Sequence, residues 1–171
     1  MYILGIDPGL AIVGWGVVEY KDNKFRPVSF GAITTPAGID VEQRLIQIYD
    51  GLDGIIKKYK PDEIAIEELF FNTNQKTAIA VAEARGVILL CGIKNNIPLY
   101  EYTPLQVKQA VVGYGRADKR QVIIMTDMLL DLKQKPKLDD TSDALAIAIC
   151  HGNTTGSALK DYYNQKKKKL L

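Results

Sequence analysis

The sequence predicts one α/β domain, a mixed sheet with helices on its faces. Three observations lead there. Strand-like segments follow one another through the first third of the chain. From Val41 the hydrophobic period becomes helical, and helical segments then alternate with two short apolar strands. Finally, 171 residues without an internal repeat or linker fit a single domain. A domain of this size buries roughly 70% of the surface its unfolded chain exposes, so its core needs no disulfide or structural metal. Its composition, 47% hydrophobic and 25% charged, is that of an ordinary globular protein.

Each element has its own signal. Residues 2–6 form a short apolar run, and 14–19 and 28–34 are bounded by turn-forming residues, with Asp22-Asn23 as the hairpin turn between them. Leu45, Ile48, Tyr49, Leu52, Ile55, Ile56 and Tyr59 fall on one helical face; Asp40 is the expected N-cap, and Pro61 closes the segment. A strand at 63–67, a helix at 75–90 and a strand at 99–102 follow. Thr103-Pro104 supplies an N-cap with proline at the first helical position. A glycine-broken basic loop at 112–119 leads to Asp118 and Gln121, spaced as a capping box ahead of a helix reaching about residue 132. The last helix is expected at 141–150, stopping before Gly152.

Counting residues excludes several kinds of chemistry. Lys and Arg total 22 against 20 Asp and Glu, a net of +2, yet four of the lysines form the terminal run Lys166, Lys167, Lys168 and Lys169. Without that run the body carries −2, so overall charge alone does not indicate a nucleic-acid binder. Cys91 and Cys150 are isolated in apolar helical stretches, as core residues of a reduced compartment would be. A lone His151 cannot build a multi-histidine zinc site. Residues 1–7 lack the basic and apolar regions of a secretory signal. The longest apolar region, 78–93, is interrupted by Glu83 and Arg85, which argues against a membrane span. A cytoplasmic protein is expected, with any catalysis resting on carboxylates.

Four acids stand out. Asp7 ends the first buried strand, where Pro8 and Gly9 turn the chain into the crevice in which open α/β sheets place their ligands; a turn-forming aspartate would look the same. Glu67 ends the strand 63–67, whose alternation puts Glu63, Ala65 and Glu67 on one face, although a solvated strand end also fits. Asp140 and Asp143 share a face at the start of an almost wholly apolar helix. Capping would explain acids in a first turn. It would not explain an Asp143 carried toward the core, which costs several kcal/mol if unpaired and which a bound cation would relieve. An all-oxygen set of this kind suits Mg²⁺ or Mn²⁺, and a pair of such ions roughly 4 Å apart would support phosphodiester hydrolysis.

Four segments appear in a familiar order and spacing: Ile3-Leu4-Gly5-Ile6-Asp7-Pro8-Gly9, Ile64-Ala65-Ile66-Glu67, Val107 to Gly115 with Lys119 after it, and Asp140 to Ile149. Over residues 1–151 the chain thereby resembles the RuvC family of bacterial Holliday-junction resolvases, within the ribonuclease H-like superfamily. Gly-Ile-Asp-Pro-Gly alone also opens actin-like ATPases, but those need a second lobe that 171 residues do not supply. The resemblance implies a ribonuclease H-like α/β fold, a five-stranded mixed sheet flanked by helices, at 1–152, with 153–171 as a basic C-terminal tail. It implies a homodimer that nicks two opposed strands of a four-way DNA junction symmetrically, with two Mg²⁺ ions per active site and Mn²⁺ able to substitute. It also implies cooperation with the RuvA and RuvB branch-migration proteins.

The family's metal-binding acids carry over to Asp7, Glu67, Asp140 and Asp143. Asp7 and Asp143 would hold the ions while Glu67 and Asp140 complete their shells, and some members have His at the position of Asp140. Phe70 occupies the position of the family's base-contacting aromatic, with Phe71 beside it, and base stacking of that kind is worth about 1 to 3 kcal/mol. Lys108 and Lys119 match lysines near the scissile phosphate; Arg116 and Arg120 join them around a Gly113/Gly115 loop suited to phosphate contact. Ala78, Val81, Ala82, Arg85 and Leu89, at helical spacing, lie in the region that forms the family's dimer, and packing within one chain would give the same pattern. Two other readings remain open here: a ribonuclease H-like nuclease acting on RNA or RNA/DNA hybrids, and a non-catalytic junction-binding protein. Between Lys94 and Lys137 there are eight basic and four acidic residues, a positive surface that the near-neutral total conceals.

Overall fold

The structure, a computed structural model, describes residues 1–68 and 75–155, with the side chains of 75–77 left aside. Phe70, Phe71 and the tail lysines therefore lie outside the described residues. Five strands form one mixed sheet, as the family resemblance implies, and their order is β3-β2-β1-β4-β5. β1 (Tyr2–Asp7), β2 (Ile12–Lys21) and β3 (Lys24–Thr34) make an antiparallel meander. β4 (Glu63–Glu67) then joins β1 in parallel, and β5 (Leu99–Tyr102) joins β4 in parallel. The hairpin strands run longer than their apolar runs, because Asp22 and Asn23 both adopt positive φ. That tight turn keeps polar Lys21 and Lys24 paired. Pro27 is tolerated because β3 lies at the sheet edge, next to a register shift at Val17/Val18.

Strand alternation sorts the core into two layers. Leu4, Ile6, Val13, Val17, Ile64 and Ile66 face α1 (Val41–Tyr59) and α2 (Gln75–Lys94), where Ile48, Leu52, Ala84, Ile88 and Cys91 are fully buried. Ile3, Val18 and Ala65 face the opposite layer of α3 (Pro104–Val112), α4 (Lys119–Leu130) and α5 (Asp139–Thr155). Thr103 and Asp118 both form reciprocal capping boxes, with Gln106 and Gln121. Asp40 holds the N-cap position of α1 without a side-chain cap; its carbonyl accepts from Gln43 and Arg44 instead. Among the described residues, no helix is long and apolar enough to cross a membrane.

Two helices depart from expectation. α2 continues to Lys94, because Cys91 and Gly92 still pack on the core after Leu90 has turned outward. α5 begins at Asp139 and passes through Gly152 to Thr155 rather than stopping before it. A side chain at 152 would strike the Phe25 ring at 2.4 Å, so this glycine serves close packing, not termination. His151 is fully buried with both ring nitrogens engaged: Nε2 lies 2.6 Å from Glu63 Oε2, and Nδ1 lies 2.7 Å from the Tyr102 hydroxyl. Cys91 and Cys150 are free, buried thiols whose pKa values burial pushes up to about 11 and about 12.

Candidate active site

Asp7 and Glu67 end adjacent parallel strands whose register pairs Ile6 with Ile66. Alternation sends both side chains to the α5 side of the sheet, together with Ile3, Gly5 and Ala65. α5 lies unusually close to β1 and β2 because glycines line its track. A Cβ on Gly5 would sit 2.0 Å from the Ala144 carbonyl oxygen, one on Gly14 1.9 Å from that of Asp140, and one on Gly16 2.5 Å from the Leu145 side chain. These glycines bring the first turn of α5, with Asp140 and Asp143, to the carboxyl end of β1. Alternating glycines at 14 and 16, with Gly5 on the paired strand, were the readable sign of this close track, and sequence reasoning passed over it.

The electrostatics follow from that convergence. Burial pushes Asp7 up to about 8, with the nearby charges of Glu67, Asp143 and Asp140 adding to the effect and Lys119 opposing it. Glu67 is raised by burial and then by Asp143, again against Lys119. Asp143 is raised by burial, partly offset by its hydrogen bond and charge pairing with Lys119. The four predicted acids thus sit within one another's fields, on three separate elements.

Lys119 is the cation inside this group. The Asp118–Gln121 capping box fixes the start of α4, with bonds of 2.8 and 2.9 Å, and Lys119 is its first helical residue. Its Nζ lies 3.0 Å from Asp143 Oδ2 and 3.5 Å from Asp139 Oδ2. Burial lowers the Lys119 pKa, but the pairing with Asp143 and then Asp139 outweighs it, for a net rise. Sequence reasoning missed Asp139, although its i,i+4 spacing from Asp143 was a usable signal. Lys108, half-buried on α3, joins Glu67, Asp143 and Lys119 around a cleft of about 180 Å³ whose apolar side includes Val107 and Val122. Arg116 and Arg120 are exposed and stand apart from the lining of this cleft.

Do these residues fit divalent cations? As positioned, no three carboxylate, imidazole or thiol groups among the described residues gather around one point. The acids nevertheless raise one another's pKa values with a single ammonium among them, and the only donors in the group are hard oxygens. Concentrated negative charge of this kind, carried on hard oxygens, fits a divalent ion. On the stripe read from the sequence as a dimer face, Arg85 pairs with Glu101 of β5 at 2.7 Å and Leu89 packs against the core, while Ala78, Val81 and Ala82 are half-buried. The more exposed face of α2 is formed by Ile79, Leu90 and Ile93.

The family model described as Crossover junction endodeoxyribonuclease RuvC matches residues 3–151. The chain is 59% identical over 154 residues to the crossover junction endodeoxyribonuclease RuvC of Clostridioides difficile, covering 90% of this chain and 91% of that one. It is 59% identical over 151 residues to the counterpart from Caldanaerobacter subterraneus, covering 88% and 92%. Among solved structures, T. thermophilus RuvC in complex with a Holliday junction substrate superimposes with a TM-score of 0.86 at 33% identity, over 91% of this chain and 94% of that one.

Proposed function

The chain belongs to the RuvC family of crossover junction endodeoxyribonucleases, and we propose that it resolves Holliday junctions by nicking two opposed strands symmetrically, as a homodimer in homologous recombination and DNA repair. The observation that carries this reading is the meeting of Asp7, Glu67 and Asp143 beside a cleft that also holds Lys108 and Lys119. A carboxylate centre edged by ammonium groups suits a phosphodiester: negative charge gathers cations at the reacting phosphorus, and positive charge holds the flanking phosphate oxygens.

The family uses divalent metal. In this chain Asp7 and Asp143 would hold two Mg²⁺ ions, with Glu67 and Asp140 completing their shells and Mn²⁺ substituting. Bound ions there neutralise phosphate charge and lower the pKa of water. The remaining work falls to the chain's own groups. Lys119 and Lys108 offer N–H donors to the non-bridging oxygens of the phosphate being cut. Arg116 and Arg120, outside the cleft, contact phosphates farther along the strand, and Phe70, with Phe71, stacks on an unpaired base at the branch point. Hydrolysis joins a water oxygen to phosphorus and breaks the bond to the leaving sugar oxygen; the water's proton is lost and the leaving oxygen gains one. The nuclease unit is 1–152, and residues 153–155 of the basic tail extend α5. We place the protein in the cytoplasm, where RuvA and RuvB would present the junction to it.

Asp7→Asn tests the reading. Cleavage of a four-way junction should fall by at least about 10³-fold while junction binding stays within a few-fold. A four-way junction, a plain duplex and an RNA/DNA hybrid cut side by side separate a resolvase from a hybrid nuclease, and wild-type-like cleavage by Asp7→Asn would sink the assignment.

A further inference from the structure

We propose that Asp139 is a positioning residue for Lys119, a second carboxylate that holds the ammonium at the mouth of the cleft when Asp143 is engaged by a divalent ion. The inference rests on the reading of Asp143 as an ion ligand. Lys119 Nζ stands between two acids of the same helical turn, 3.0 Å from Asp143 Oδ2 and 3.5 Å from Asp139 Oδ2. Asp139 and Asp143 are four residues apart, so both project from one side of the start of α5. Their surroundings differ: the Asp143 side chain is 31% exposed and the Asp139 side chain 67%. Asp139 is not among the acids whose charges raise Asp7, although its charge does raise its neighbour Asp143. One ammonium thus bridges an inner acid of the centre to an outer acid beyond it.

That arrangement sets up a competition. An ammonium and a divalent cation cannot both sit close to one carboxylate without strong repulsion, so ion binding at Asp143 drives Lys119 off it. With Asp139 present, Lys119 needs only a small side-chain rotation to keep a carboxylate partner. It then stays at the cleft, within reach of a phosphate oxygen. Without Asp139 the ammonium rests on Asp143 alone, where it competes fully with the incoming ion, and once displaced it has no tether.

A double-mutant cycle on the full chain separates this from simple loss of negative charge. Mn²⁺ binding is measured by titration calorimetry without DNA for wild type, Asp139→Asn, Lys119→Gln and the double variant. Asp139→Asn should weaken Mn²⁺ binding about two- to fivefold in the wild-type background and leave it unchanged in the Lys119→Gln background, because the coupling runs through the ammonium. Asp139→Glu should restore wild-type affinity. A role for Asp139 confined to the α5 dipole would move the melting temperature and leave the Mn²⁺ affinity in place. Equal losses in both backgrounds, or none in the wild-type background, would overturn the proposal. Asp143→Asn completes the set. If it weakens Mn²⁺ binding by about tenfold or more while the cycle shows no coupling, only the role of Asp139 fails. If it leaves Mn²⁺ binding intact, the ion-ligand reading fails and the Asp139 proposal falls with it.

Discussion

The acids at the cleft stand on buried secondary structure, whereas the basic groups divide between two lysines that line it, on α3 and at the start of α4, and two exposed arginines outside it. Asp7 and Glu67 end strands whose preceding residues, Ile6 and Ile66, are fully buried, and Asp143 is followed at once by the buried run Ala144 to Cys150. Arg116 and Arg120 are exposed, and Lys119 owes its position to one capping box. The two sides therefore differ in how a substitution propagates. Changes on the acid side alter charge at fixed positions or shift a whole helix, while changes at the exposed arginines act singly and through solvent. This suits a structure-selective nuclease, in which the chemical groups must be held firmly while the surface that grips a branched substrate adjusts to it.

Three substitutions and one matched control test that contrast. The largest effect is expected for Glu67→Gln, which keeps the shape of the strand end and removes a ligand charge. Single-turnover cleavage should drop by about 10³-fold with little change in junction affinity. Gly14→Ala should come next. Its methyl group would meet the Asp140 carbonyl oxygen at 1.9 Å, so the start of α5 must move and carry Asp140 and Asp143 with it. A displacement of that order lowers the cleavage rate by about 10²-fold, and thermal melting should fall as well. Gly54→Ala, where an added Cβ meets nothing within 4 Å, serves as the matched control and should stabilise α1 by about 0.5–1 kcal/mol. The smallest effect belongs to Arg116→Ala. Junction binding should weaken a few-fold, with the slope of log K against log salt reduced by about 1 and the cleavage rate of the bound complex held. A loss of that bound-complex rate comparable to that of Gly14→Ala would erase the distinction between the two sides.

Much of the acid side was legible in the sequence for the same reason that it is rigid. Apolar runs ending in Asp7 and Glu67, and an apolar helix beginning with Asp140 and Asp143, announce carboxylates at the ends of buried elements. Sheet order was not legible, because it depends on which strands meet, and parallel pairing of β1 with β4 brings together residues about sixty apart. The reach of α5 was misjudged at both ends: Gly152 read as a stop signal, when its missing side chain makes room for Phe25. The basic side had no periodic signal at all. Lys108, Arg116, Lys119 and Arg120 read as a solvated cluster until the family resemblance gave them roles, and the link from Lys119 to Asp139 depends on where a flexible side chain comes to rest.

The carboxyl ends of β1 and β4 concentrate negative charge suited to a divalent cation, and Asp7 lies in the field of three other acids there. Its pKa is raised from 3.8 to about 8, so the folded chain binds this proton more tightly than the unfolded chain does. The stability it contributes is present below about pH 4 and is lost as pH rises toward 8: at pH 7.5 most folded molecules still hold the proton that the unfolded carboxylate has released, at a cost of up to several kcal/mol. Thermal melting of wild type and Asp7→Asn at pH 7.5, with EDTA and then with excess Mg²⁺, reads this out. Asp7→Asn should melt higher than wild type in EDTA and gain little from Mg²⁺, while wild type gains several degrees. An Asp7→Asn protein that melts below wild type in EDTA, or that gains as much from Mg²⁺, would contradict this reading.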